Sequence, residues 1–161
     1  MSSSEDVHGK RATPYVLGID EGEHLLLGQR RAPFWIKASR ETGSHRLTAA
    51  MERIRPGDAI PVHRHKDADE LIFLHSGSGS IVLGDAEVPL EAGSLAFVPR
   101  GTWHGPRNTH PSAELHILVV FSEPGIDGYF RSIGSKPGED PPSLSASEEA
   151  NVEKRYGITY R

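Results

Sequence analysis

The sequence contains no cysteine. Disulfides, thiolate catalysis, iron–sulfur clusters and cysteine-based zinc sites are excluded with it. It also lacks an excess of charge of either sign. Eighteen Lys and Arg residues stand against 22 Asp and Glu, a formal net charge of −4. A mildly acidic chain has no electrostatic reason to bind nucleic acid or an anionic membrane surface. Long apolar runs are missing too. The stretch from Leu115 to Phe121 is far too short for a membrane span and is interrupted by His116. Residues 1–11 are polar and hold no apolar core of a secretion signal, so a cytoplasmic protein with no membrane partner is expected.

What is abundant is turn chemistry. The 161 residues include 17 glycines and 12 prolines, spread along the chain, and the length suits one domain. This argues for many short strands and against a helical bundle. Residues 1–14 have no period and read as a disordered arm. From Tyr15 onward, apolar segments alternate with turn signals. Strands are expected over 15–18, 24–28, 34–38, 45–54, 60–65, 70–75, 80–83, 88–90, 95–98 and 114–121. That spacing indicates an all-β sandwich or barrel over residues 15–122.

A helical tail over residues 123–161 should follow, packed on the barrel. Ile126, Tyr129, Phe130 and Ile133 share one helical face, and Gly134 is placed to end that helix. Residues 135–144 read as a linker. Ser145 with Glu148 forms a capping-box pattern for a second short helix that stops at Gly157.

The nine histidines are unusual in their placement. His63 and His65 lie two apart, so on a strand both project to one face. A hairpin through residues 66–69 would bring Glu70 across from them. Two neutral imidazoles and a carboxylate suit a divalent transition metal with open coordination positions. Pro99 and Gly101 bracket a tight turn that can swing His104 toward the barrel interior as a third imidazole.

The wider spacing is more specific. One stretch reads Gly57-x5-His63-x-His65-x4-Glu70-x6-Gly77, and the other reads Gly93-x5-Pro99-x-Gly101-x2-His104-x3-Asn108. At every fixed position the two resemble the signature motifs of the cupin superfamily. The resemblance implies a double-stranded β-helix, or jelly-roll barrel, with one or two peripheral C-terminal helices. It also implies one divalent metal (Fe, Mn, Ni, Co or Zn) held by His63, His65, Glu70 and His104. A looser similarity, in Tyr15-Val-Leu-Gly, Ile36-Lys-Ala and the segment 125–134, points to single-domain bacterial cupins of the quercetin-dioxygenase-like group.

The function expected is therefore a metal-dependent dioxygenase acting on a flavonol-, phenol- or diketone-like small molecule, with Glu70 also able to accept a proton. A metal-assisted isomerase or lyase of a polar small molecule and a non-catalytic metal-bearing binding module are the alternatives. Fold alone does not choose among them. By parity Ile72 and Leu74 share the face of Glu70 and are expected to contact substrate, as is His116 if its strand face looks inward. His75 and Trp103 have the opposite parity to the site. A homodimer is expected, formed through exposed sheet edges with the segment 15–28 available to pair across subunits.

Overall fold

Twelve strands and two α-helices succeed one another along residues 13–161, the part of the chain that the computed structural model describes. The expected arm over residues 1–14 falls, for residues 1–12, outside the described residues. The strands are β1 (Glu23–Leu27), β2 (Ala32–Ala38), β3 (Thr48–Ile54), β4 (His63–His65), β5 (Glu70–Ser76) and β6 (Ser78–Leu83). They continue as β7 (Ala86–Glu91), β8 (Leu95–Val98), β9 (His104–Arg107) and β10 (Leu115–Phe121). The tail adds α1 (Asp127–Ile133), β11 (Gly134–Ser135), α2 (Ala146–Tyr156) and β12 (Ile158–Tyr160).

Two antiparallel sheets result, a seven-stranded one in the order β11-β1-β2-β3-β10-β5-β8 and a five-stranded one in the order β12-β4-β9-β6-β7. Strand β10 shows how pattern becomes position. Leu115, Ile117, Val119 and Phe121 are buried, while His116, Leu118 and Val120 between them are only half-buried. Strand β10 runs between β3 and β5, so its backbone is paired on both sides and its inward residues floor the core. Phe34, Ile72, Leu74 and Ile81 fill the same core. Each such side chain contributes roughly 1.5–3 kcal/mol by leaving water.

The motif glycines act at turns. Gly57, Gly77, Gly93 and Gly101 all adopt positive φ. At Gly77, between β5 and β6, φ is +94° and an added Cβ would lie 2.6 Å from the Glu114 carbonyl oxygen. Only glycine lets the chain turn there against the start of β10.

Several expectations change. Residues 15–18 form no strand, and Val16 is almost fully exposed. The edge of β1 is not free either, because β11 pairs with it at Leu26 and Leu27. Gly134 does not end α1 in the left-handed region: its φ is −104°, and it opens β11. The tail also does more than pack outside. Strand β12 joins β4 through Ile158–His65 and Tyr160–His63, and Phe130 of α1 stacks on Phe34 with ring centroids 4.3 Å apart. Helix α2 is as expected, with a Ser145–Glu148 capping box and left-handed Gly157, and it buries no residue.

Among the described residues no helix is long and apolar enough to cross a membrane. The outer face of the seven-stranded sheet leaves Leu71, Leu95 and Phe97 exposed.

Asn108 locks the two motif regions together. Its buried amide donates to the carbonyls of Ile54 and Ala113 at 2.8 and 2.9 Å, and its oxygen accepts from the His110 N–H. Its backbone N–H donates to Asp58, and its carbonyl accepts from Gly57. Removing the amide strands two backbone carbonyls. Asn108→Ala is expected to lower stability by about 2–3 kcal/mol, read as a drop in the urea midpoint with an unchanged denaturant slope.

Candidate metal centre

Strand β4 carries His63 and His65 inward, with exposed Arg64 between them. Glu70 opens β5 on the buried parity shared by Ile72 and Leu74. His104 opens β9 directly opposite His63 in the β4–β9 pairing. These four side chains are buried, and one potential ligand atom from each lies within 4.8 Å of the others. The His63 and His104 rings are 4.3 Å apart between centroids, and the His63 and His65 rings stand edge-on at 4.9 Å.

The hydrogen bonds fix which nitrogen faces the centre. His63 Nδ1 is 2.8 Å from the Pro61 carbonyl oxygen, and His104 Nδ1 is 2.9 Å from that of Thr102. A carbonyl only accepts, so each Nδ1 carries a proton and each Nε2 is turned to the centre. Glu70 Oε2 then lies 2.8 Å from His104 Nε2 and 3.1 Å from His65 Nε2. Both ring nitrogens of His65 are buried without an aligned hydrogen bond. An imidazole lone pair and a carboxylate oxygen this close require a proton or a metal cation between them. Nitrogen and oxygen donors of this kind suit a divalent transition metal, so the residues fit such an ion.

The electrostatics of the bare cluster agree. Burial would raise the Glu70 carboxyl, but contact with His104 and His65 outweighs it and holds the group down at about 2. Burial would lower His104, yet its bond to Glu70 keeps it raised. Burial and then the charge on His104 push His63 down to about 4, so it stays neutral.

The cluster opens into a cavity of about 310 Å³. Its walls come from Phe34, Ile72, Ile117, Phe121, Phe130 and Ile158, and exposed Gln29 and Arg30 line its outer end. Ile72 is therefore where it was expected. Leu74 is fully buried in the core and does not line the cavity. His116 is a correction: it sits on the opposite face of β10 from the buried residues, with Nε2 3.5 Å from a Glu114 oxygen, and does not line the cavity. Its strand alternates strictly, and the inward register belongs to Leu115 and Ile117.

Besides exposed Gln29, three polar lining residues play no part in the sequence reading of the site. Tyr129 of α1 and Tyr160 of β12 join their hydroxyls at 2.6 Å. Glu52 stands on β3 beside the cavity, and burial, reinforced by the charge on Glu70 and opposed by Arg30, pushes its carboxyl up to about 8. Its inward parity with Ala50 and Ile54 was a usable signal. Tyr160 follows a tail helix, and no local pattern placed it at the site.

Residues 50–121 match the family of the cupin domain. Over 149 residues the chain is 30% identical to quercetin 2,3-dioxygenase of Bacillus subtilis, covering 90% of this chain and 42% of that protein. It is 24% identical over 104 residues to auxin-binding protein 4 of Zea mays, covering 59% of this chain and 50% of that one. The chain spans about half the length of the curated relatives it matches. Among solved structures, a predicted oxalate decarboxylase from Thermotoga maritima superposes with a TM-score of 0.61 at 22% identity, over 68% of this chain and 99% of that one. At that identity the likeness concerns the fold.

His63 and His104 come from different strands and converge on one centre. The double variant His63→Ala with His104→Ala is expected to lose metal binding, measured as metal per chain after reconstitution and desalting. Its circular dichroism should stay that of a β protein. Retained metal stoichiometry would move the site elsewhere.

Proposed function

Because this chain is a cupin, we propose that it is a metal-dependent oxidoreductase of the dioxygenase type, acting on a small, largely apolar molecule with flavonol-, phenol- or diketone-like oxygens. The observation that carries the reading is the pairing of a buried His–Glu cluster with an apolar cavity whose only basic lining side chain among the described residues, the histidines aside, is the exposed Arg30. A hydroxyl-rich polar substrate would meet mostly apolar walls there, which disfavours the isomerase or lyase alternative. The 30% identity to quercetin 2,3-dioxygenase supports the same class.

In this reading His63, His65, Glu70 and His104 hold the metal. When bound, a divalent transition metal supplies Lewis acidity and, if redox-active, electron exchange with dioxygen. The chain's own residues do the rest. Phe34, Phe121 and Phe130 exclude water and hold a flat apolar body in place. His63 and His104 are fixed in tautomer and orientation by the Pro61 and Thr102 carbonyls. Glu70, an anion in contact with two imidazoles, is the group able to take the proton of a phenol or enol oxygen.

The chain reconstituted with Fe(II), Mn, Co or Ni is expected to consume oxygen with quercetin or acetylacetone, and the Zn form is expected to be inert. An oxygen electrode reads this directly. Turnover under strict anaerobiosis would favour the isomerase or lyase, and tight binding without turnover would favour a binding module.

The same reading makes the chain a homodimer joined on the outer face of the seven-stranded sheet, where Leu95 and Phe97 of β8 are 59% and 60% exposed. A contiguous apolar face of this kind is a typical subunit contact. Light scattering should give twice 17.6 kDa. Phe97→Asp should give the monomer with its metal content intact.

A further inference from the structure

One polar group in the cavity wall is used neither by the metal centre nor by the fold. His63 and His104 give their Nδ1 protons to backbone carbonyls, and the hydroxyls of Tyr129 and Tyr160 bond each other. Arg30 donates to the Ala59 carbonyl at 2.8 Å, and Glu70 is in contact with His104 and His65. Glu52 has no counterpart to these contacts. Among the described residues its carboxyl feels burial and the charges of Glu70 and Arg30, and no hydrogen bond.

Its position is well defined. Glu52 is on the inward register of β3 between buried Ala50 and Ile54, and it pairs across the sheet with buried Phe34 on β2 and Ile117 on β10. A leucine there would suit those neighbours better. Glu52 is half-buried, lines the cavity and makes no hydrogen bond, so its carboxyl adds nothing to the fold in an apolar wall but is open to a partner inside the cavity.

We propose that Glu52 is a second anchor for the ligand, its carboxyl hydrogen-bonding a hydroxyl or keto oxygen of the bound molecule remote from the oxygens that face His63, His65, Glu70 and His104. The inference rests on the cavity being the ligand site of the function proposed above, and it narrows the substrate class. The ligand is a mostly apolar molecule with two separated oxygen functions, one at each anchor. Apolar surroundings favour a neutral oxygen at the Glu52 end over a charged group. The carboxyl can accept from a hydroxyl or, when protonated, donate to a carbonyl.

The test uses the metal-reconstituted full chain as wild type, Glu52→Gln and Glu52→Leu, with three readouts: metal per chain, melting temperature, and absorbance titration with 3-hydroxyflavone and with quercetin, which adds ring hydroxyls. Metal content should be the same in all three proteins. Glu52→Leu should melt no lower than the wild type, since it removes a half-buried carboxyl that makes no hydrogen bond in the fold. The wild type should bind quercetin about tenfold or more tighter than 3-hydroxyflavone. Glu52→Gln should keep part of that preference and Glu52→Leu should abolish it, while still binding 3-hydroxyflavone.

A lower melting point in Glu52→Leu would make the residue structural, and lost metal in either variant would make it a ligand; each overturns the proposal. So does an unchanged preference in Glu52→Leu. The melting comparison decides even where neither flavonoid binds. Failure of the wild type to hold metal would count against the metal-dependent reading, and the melting comparison would still judge Glu52.

Discussion

The structure turns on one contact: a single carboxylate oxygen of Glu70 facing the nitrogens of His104 and His65 at 2.8 and 3.1 Å. The Nδ1 proton of His104 is committed to the Thr102 carbonyl, so the nitrogen turned toward Glu70 has a lone pair to offer. Two lone pairs at that distance repel unless a proton or a metal ion lies between them. The barrel makes this juxtaposition unavoidable. Pairing of β4 with β9 brings His104 against His63, and the short connection from β4 to β5 returns the chain at Glu70. The site is thus built to hold positive charge before any ion arrives, and the turns at Gly57, Gly77, Gly93 and Gly101 fix the strands that hold it.

Desolvation acts on every titratable group in that interior with a consistent sign. It favours the neutral form, lowering His63 to about 4 and raising Glu52 to about 8. Glu70 and His104 go the other way together, because their direct contact outweighs the burial of each. The cavity therefore holds one reliable anion, Glu70, whose charge is met within the cluster by His104. A divalent cation would find its charge half compensated by protein, leaving the rest for an oxygen of the ligand. Tyr129 and Tyr160 stay protonated for the same reason, burial pushing both upward.

The centre was legible in the sequence because its information is local. His63, His65 and Glu70 fall within eight residues, and strand parity alone puts the pair of imidazoles on one face. The barrel was legible from turn chemistry and the alternating apolar segments, and α2 from its capping box. What escaped depended on partners distant in the chain. Strand β12 has three residues and becomes a strand only because β4 offers it an edge. Strand β11 has two, and it exists because β1 needs its outer edge paired. Segment 15–18 has strand-like residues and stays irregular, with Val16 almost fully exposed and Tyr15 held by its hydroxyl on the Lys37 carbonyl. His116 was ambiguous for a different reason: parity gives two faces, and only the burial of Leu115 and Ile117 decides between them.

This difference in range divides the labour of the site. The atoms suited to a metal come from β4, β5 and β9, a compact stretch in which sequence spacing sets geometry. The walls that would meet a ligand come partly from β5 and β10 and partly from the β1–β2 turn, β2, β3, α1 and β12, toward both ends of the chain. Changing Phe130 or Ile158 alters the shape of the cavity without touching a metal-facing nitrogen. The Pro61 and Thr102 contacts that orient the imidazoles are backbone carbonyls, which side-chain substitutions at the wall leave in place. Holding the ion and choosing the molecule are consequently carried by separate sets of contacts. Glu52 belongs to the second set by its place on β3, and the charge of Glu70 on its carboxyl is what couples it to the first.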